Sequence, residues 1–306
     1  MKFSFTRILF LIFSIFVCFY IFKFSSSVKI IKNIDIKKLS SNKLFEGLKY
    51  SFIYENENLL KLVANEAIQE NENKITLSDI VLKNVQGSVA INAKADLADI
   101  DEDKKLITFS ENVSLNYNDN LLITKVLEYN FSESIARVPG YSEINNTNQS
   151  LTSEYLSFNT KLQKIIFAKN IYYRDKEQLF EVFAKQLKSH ANKNNIIFAY
   201  EAAMNNSQYK VEGDFFKIIL NVKAEKITKI DASGNINMIH KDYTISADSL
   251  SYDPAKGIIE FLNNVIMKSK SGEIVSDRLV YDVTNDLVKV KNNQNKKIKT
   301  TLDMVK

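Results

Sequence analysis

Cysteine is almost missing from this 306-residue chain: Cys18 is the only one. That excludes a disulfide framework and any cluster of thiolate metal ligands. A lipidated cysteine would need a small residue before it, and Val17 is not one; Cys18 reads as a thiol inside an apolar segment. There are two histidines, His190 and His240, far apart, with no His-x-x-His or Glu-x-x-His. Imidazole ligation of a metal therefore has no basis. Glycine occurs seven times and proline twice, at Pro139 and Pro254. No glycine-rich phosphate loop and no Gly-x-Ser-x-Gly elbow occurs. Right-handed β-helices and propellers usually carry more turn glycine, so the scarcity counts against both. Carboxylates are plentiful, but the run Asp99, Asp101, Glu102, Asp103 sits in a polar turn and reads as a solvated loop. No catalytic constellation emerges; the expectation is a chain that is not an enzyme and needs no cofactor or metal.

Helix signal is scarce too. Residues 181–189 admit a helical reading, but Ala184 and Leu187 also fit a strand rhythm that runs through the chain. Its pattern is apolar-x-small-x-x-Leu-x-aromatic-Asn/Asp. Copies stand at Leu122, Thr124, Leu127, Tyr129, Asn130; at Leu151, Ser153, Leu156, Phe158, Asn159; at Ile245, Ala247, Leu250, Tyr252, Asp253; and at Ile274, Ser276, Leu279, Tyr281, Asp282. Weaker copies place the small residue at Ala64, Ala93, Ala184 and Ala224. A period near 30 residues means stacked supersecondary units.

A second pattern follows, Ile-x-Phe-x-polar-Asn-Val/Ile-x-apolar: Ile107 to Leu115, Ile165 to Tyr173 and Ile259 to Met267. Its apolar positions keep period two, as in a strand with one buried face. The first pattern changes phase between its small residue and its Leu, which is the mark of a bulge or sharp bend. Each unit reads as two bent strands joined by polar turns.

Hydrophobic residues make 45% and charged residues 25% of the chain, a globular composition. The net charge is +5. Much of it sits in lysines near the two ends, which reads as a basic stem and a solvated tail rather than a nucleic-acid site. Residues 8–22 form an apolar run interrupted only by Ser14, flanked by Lys2, Arg7 and Lys23. This is expected to be an uncleaved N-terminal anchor, with the body exported.

Apolar faces stacked in this way either close as a dry core or part along one side and leave an apolar groove. Periodicity does not separate these.

Several segments together resemble a known family. Residues 54–175 resemble LptC, the membrane-anchored periplasmic component of lipopolysaccharide transport; Leu60, Leu62, Ala64 and Ala67, the run 106–113, the strand 121–129 and residues 151–171 carry the likeness. Residues 178–290 resemble LptA, also called OstA, the soluble bridge component, through Ile227 to Ile236, Ile245 to Asp253 and Phe261 to Val265. Where that family often has glycine, after the Phe of the second pattern, this chain has Glu111, Lys169 and Asn263. The bend is expected to come from Asn112, Asn170 and Asn264 in left-handed backbone.

The resemblance implies an all-β fold: an open β-jelly-roll of two stacked antiparallel sheets built from ~30-residue repeats, preceded by one transmembrane helix. The expected organisation is anchor 1–28, stem 29–53, LptC-like jelly-roll 54–176, LptA/OstA-like jelly-roll 177–291 continuing the same groove, and basic tail 292–306. It implies a single-pass inner-membrane protein with a periplasmic body, carrying lipopolysaccharide acyl chains along an apolar groove. The alternative is a scaffold envelope protein with a closed dry core. Groove candidates are Ile107, Phe109, Val113, Leu115, Leu127, Tyr129, Leu156, Phe158, Ile165, Phe167, Ile171, Leu250, Tyr252, Ile259, Phe261, Val265, Met267, Leu279 and Tyr281. Assembly edges are expected at Leu60, Leu62, Ala64 and at Leu287, Val288, Val290. The implied partners are lipopolysaccharide, the inner-membrane ABC-transporter complex, and a further bridge or outer-membrane component at the C-terminal edge.

Overall fold

Alternating apolar positions dictate strands along nearly the whole chain, and the computed structural model is all-β. It describes residues 38–302, apart from 40–42, 55–57, 72, 87–90, 118–119, 131, 160–161, 163, 177–179, 191–195, 206–207, 222–225 and 292–298. The expected anchor, 1–28, lies outside the described residues. Among those described, no helix is long and apolar enough to cross a membrane. They fall into two compact units that divide between Ala168 and Lys169.

The first unit holds β1 (Lys38–Leu39), β2 (Lys43–Tyr54), β3 (Asn58–Asn71), β4 (Lys74–Gln86), β5 (Ile91–Asp101), β6 (Leu106–Tyr117), β7 (Asn120–Asn130), β8 (Ile135–Val138), β9 (Ser142–Asn145), β10 (Gln149–Ser153), β11 (Tyr155–Asn159) and the start of β12 (Lys164–Asp175). Strands β1 to β7 pair antiparallel in sequence order. β7 then takes β8 beside one half and β9 beside the other. β9 continues to β10, and β8 to β11 and β12. The second unit holds β13 (Phe180–His190), β14 (Ile196–Asn205), β15 (Tyr209–Asn221), β16 (Lys226–His240), β17 (Tyr243–Asp253), β18 (Ile258–Ser269), β19 (Gly272–Asp282), β20 (Leu287–Lys291) and β21 (Lys299–Leu302). These pair antiparallel in order up to β19, which takes β20 along 278–282 and β21 along 272–275.

Every long strand bends once, and neighbouring strands bend by alternating means. One class puts a small buried residue at the corner: Ala64, Ala95, Thr124, Ser153, Ala184, Gly213, Ala247 and Ser276. Where that residue has a hydroxyl, it bonds the carbonyl two residues on, at 3.3 Å for Thr124 to Val126, 3.3 Å for Ser153 to Tyr155 and 3.1 Å for Ser276 to Arg278. The other class turns through positive φ: Gly47, Asp79, Glu111–Asn112, Lys169–Asn170, Glu201, Gly234–Asn235 and Asn263–Asn264. At the corner, β6, β16 and β18 each carry one residue more than the strands beside them. That extra residue is a β-bulge, and it sharpens the bend.

The expected asparagines do take left-handed backbone, at φ 48° for Asn112, 48° for Asn170 and 51° for Asn264. The residue before each shares it, at φ 60° for Glu111, 62° for Lys169 and 61° for Asn263. Such a conformation costs an L-residue roughly 1–2 kcal/mol. A hydrogen bond to a charged acceptor, of about 1.5–3 kcal/mol, offsets it. Asn112 Nδ2 donates to Asp96 at 2.6 Å, Asn235 to Asp214 at 2.8 Å and Asn264 to Asp248 at 2.7 Å. Each of these asparagines is clamped by an aspartate on the preceding strand.

Two of the weaker repeat copies are out of register. The corner of β5 is Ala95, with Ala93 in the apolar position before it. That of β15 is Gly213, whereas Ala224 lies outside the described residues. The run Val211-x-Gly213-x-x-Phe216-x-Ile218 fits the first pattern once glycine and phenylalanine are admitted. The steps between small residues then become 31, 29, 29, 31, 29, 34 and 29. Gly213 has a steric reason: an added Cβ would stand 2.7 Å from Ile236 Cδ1 and 3.1 Å from the Phe216 ring.

The N-terminal edge also differs from expectation. Residues 43–53, read as stem, form β2 together with Tyr54, and β2 pairs with β3 along its length. Leu60, Leu62 and Ala64 therefore lie on an inner strand between β2 and β4. The cause is legible: Leu44, Phe45, Leu48, Tyr50, Phe52 and Ile53 supply strand-forming residues beside the lysines that suggested a solvated stem. At the other end, Leu287, Val288 and Val290 do sit on β20, which pairs with β19. Strand β21 falls inside the expected basic tail.

Three substitutions at two positions test the corner. Asn264→Ala should lower the chemical-denaturation midpoint by a shift worth about 1–3 kcal/mol, and Asn264→Gly by less, because glycine accepts the positive φ. Gly213→Ala should cost about 1–3 kcal/mol through overpacking. Circular dichroism at the β-sheet band follows all three; equal losses for the two Asn264 variants would show that backbone strain is not the cause.

Candidate functional site

The corner divides the strands of the second unit into two arms. Arm one contains 202–205, 209–213, 236–240, 243–247, 265–269 and 272–276. Arm two contains 196–200, 215–221, 226–233, 249–253, 258–262 and 278–282. In arm one the antiparallel registers line up Met204, Val211, Met238, Ile245, Met267 and Ile274 across consecutive strands. In arm two they line up Phe216, Ala232, Leu250, Phe261 and Leu279 in one row, and Ile218, Ile230, Tyr252, Ile259 and Tyr281 in the next. The change of phase at each corner keeps the inner face inward on both arms.

The arms face each other across an apolar cavity of about 540 Å³, counting its open mouth. Met204, Tyr209 and Val211 line it from arm one. Phe216, Ile227, Ile230, Leu250, Tyr252 and Ile259 line it from arm two, with Pro254 from the β17–β18 turn. The only polar side-chain atoms those residue types supply are two phenol oxygens. Burial, with Asp253 adding to it, pushes the Tyr252 phenol up from 10.0 to about 12, so the wall stays uncharged throughout the physiological range. With no charged side chain in it, the lining selects an apolar guest. Among the described residues no group of His, Cys, Asp and Glu could hold a metal ion.

Leu250, Tyr252 and Ile259, named from sequence as groove candidates, line this cavity. Ile171, Phe261, Val265, Leu279 and Tyr281 are buried in the second unit, and Met267 is half-buried. In the first unit, Val113, Leu115, Leu127, Tyr129, Leu156, Phe158, Ile165 and Phe167 are buried, whereas Ile107 and Phe109 are half-buried. Ile107, Tyr129, Ala136, Phe158 and Ile165 form one cross-strand row there. Phe109 pairs with Leu127, and Leu156 lies between Val138 and Phe167. Of the edge candidates, Leu287 is exposed, and Leu62, Val288 and Val290 are half-buried. Met204, Tyr209, Val211, Phe216, Ile227, Ile230 and Pro254 complete the lining beyond the sequence candidates; of these, Val211 and Phe216 belong to the copy centred on Gly213, which a pattern keyed to Ala, Ser or Thr passes over.

Bent antiparallel strands around an apolar interior define an all-β protein of the jelly-roll class. Residues 39–182 match the family model described as OstA-like protein. Residues 181–287 match the model described as LptA/(LptD N-terminal domain) LPS transport protein. With 39–287 so covered, the chain belongs to the OstA/LptA-like lipopolysaccharide transport proteins. No curated protein matches it. Among solved structures it is similar to LptH of Pseudomonas aeruginosa, the LptA-homologous periplasmic component of the lipopolysaccharide transport device, at 11% identity, TM-score 0.35, 41% of this chain and 95% of that one.

The Tyr252 phenol gives a pH test. Its folded value lies above its unfolded one, so its contribution to stability is complete below pH 10 and is lost as the pH rises towards 12. Tyr252→Phe removes that contribution. Between pH 10 and 12 the wild type should lose stability relative to Tyr252→Phe, whereas the difference between them should be constant from pH 6 to 9. Parallel curves across both ranges would mean that the phenol is solvated.

Proposed function

We propose that this chain is an inner-membrane-anchored, periplasmic component of the lipopolysaccharide export bridge, and that it carries the acyl chains of lipopolysaccharide between the two arms of its bent sheets. The apolar cavity between those arms carries the reading. Each acyl methylene left in water costs about 0.8 kcal/mol, and a wall without charged groups removes that cost. Repeated, near-equivalent apolar rows favour passage over trapping, because one deep site would hold the lipid. In this reading residues 54–176 act as the LptC-like part and 177–291 as the LptA/OstA-like part. The segment 1–28 anchors the chain, and direction comes from lipid delivered by the inner-membrane ABC-transporter complex. A further bridge or outer-membrane component receives the lipid at the C-terminal edge, and no chemistry is performed on it.

The competing reading is a structural envelope protein with a closed dry core; an interior with an open cavity favours transport. Benzoylphenylalanine at Leu250 or Ile259 tests it by photocrosslinking in the intact envelope. Both should crosslink lipopolysaccharide, and Lys268, exposed on arm one, should not. Absence of lipid crosslinks at the cavity positions in a folded, abundant protein would favour the dry-core scaffold.

A further inference from the structure

The second unit has a buried histidine that the cavity does not use. His240 ends β16 at the tip of arm one and is buried with Tyr243, which begins β17, stacked on it at 4.4 Å. Asp286 lies in the β19–β20 turn, at the tip of arm two. These tips are the ends farthest from the corner along each strand, so a contact between them spans the rim where the arms would otherwise part.

The contact is polar and specific. Tyr281 Oη donates to Asp286 Oδ1 at 3.1 Å and Tyr243 Oη to the same oxygen at 3.5 Å. The Asp242 backbone N–H donates to His240 Nδ1 at 3.3 Å. Its Nε2 faces Asp286 Oδ1 at 3.7 Å. Three groups from two arms converge on one carboxylate oxygen. Asp286 is held in left-handed backbone, φ 50°, and its turn is tied sideways by the Val283 N–H donating to Gly257 O at 2.8 Å. Burial, with the neighbouring carboxylate, holds both phenols well above their ordinary value, so both remain donors.

This cluster adjoins the cavity. Tyr209 lines the cavity and also packs edge-on against Tyr281, ring centres 6.2 Å apart. Tyr243 meets Tyr281 from the same arm at the same spacing. The aromatic wall of the cavity is therefore also the base of the cross-rim contact. We infer that His240, Tyr243, Tyr281 and Asp286 form a clasp across the rim of the second unit, which shuts the cavity sideways and opens to admit or release an apolar chain. That the chain is a lipid acyl chain rests on the function proposed above. A polar clasp suits this task. Its hydrogen bonds can be exchanged for bonds to water on opening, and the packed rings of His240, Tyr243 and Tyr281 hold it shut in between.

The test uses the full chain in nanodiscs, with Cys18→Ser and Ile259→Cys, and reads the rate at which a small maleimide labels the introduced thiol. Asp286→Gly removes the carboxylate and suits the positive φ; Tyr243→Phe with Tyr281→Phe removes both donors and keeps the rings. Either change should raise the labelling rate at least fivefold with the β-sheet circular dichroism unchanged. If Asp286→Gly fails to fold, the double phenylalanine variant decides. An unchanged rate there overturns the clasp. Added lipopolysaccharide separates this from the transport reading: faster labelling without protection by lipid keeps the clasp and sinks the acyl-chain reading, and protection without a change in rate does the reverse.

Discussion

The corner is the constraint on which everything else depends. A single sheet of long strands can bury one face only against another layer, and this chain supplies no helices among its described residues to cover it. Bending every strand at the same level makes the sheet its own second layer. That requires adjacent strands to bend together without breaking their ladder. The chain meets the requirement by alternation: a small buried residue on one strand, a left-handed bulge on the next, with an Asn–Asp hydrogen bond tying the pairs at Asp96–Asn112, Asp214–Asn235 and Asp248–Asn264. The near-30-residue period of the pattern along the chain is the spacing of these corners. It also explains why so few glycines suffice, since asparagine accepts the left-handed backbone at a modest cost.

Much of this architecture is legible in the residues themselves. The parity break between Ala247 and Leu250 marks the bend, and the residues on either side fall on the inner face, as they do between Thr124 and Leu127. What escapes is where the pattern uses unexpected residue types. Gly213 stands in a position held elsewhere by Ala, Ser or Thr because Ile236 and Phe216 leave no room for a Cβ; a pattern keyed to those residue types passes over it, and the cavity wall around it is missed. At the N-terminus the lysines of 29–53 mask the apolar residues of β2, so the edge lies farther out than the repeat pattern predicts. The clasp was invisible for a different reason. His240 and Asp286 are 46 positions apart in the chain, and only the pairing of the three intervening strands brings them together.

The two ends of the arms play opposite roles. At the corner the sheets are fixed by backbone geometry and buried small residues. At the rim of the second unit they are held by hydrogen bonds to one exposed carboxylate, Asp286. A fold with one rigid edge and one polar edge can widen without losing its strand ladder, and stacked apolar rows behind that edge then offer a guest many similar positions. This links the sequence repeat to the proposed carriage of lipid: repetition supplies equivalent stations, and the bend supplies the space between them.

The most direct measurement is an experimental structure of the full chain bound to lipopolysaccharide. The account predicts acyl-chain density between the arms, against Leu250, Tyr252 and Ile259, with the saccharide outside the rim. Lipid bound only to the outer faces, with the interior closed and dry, would contradict it.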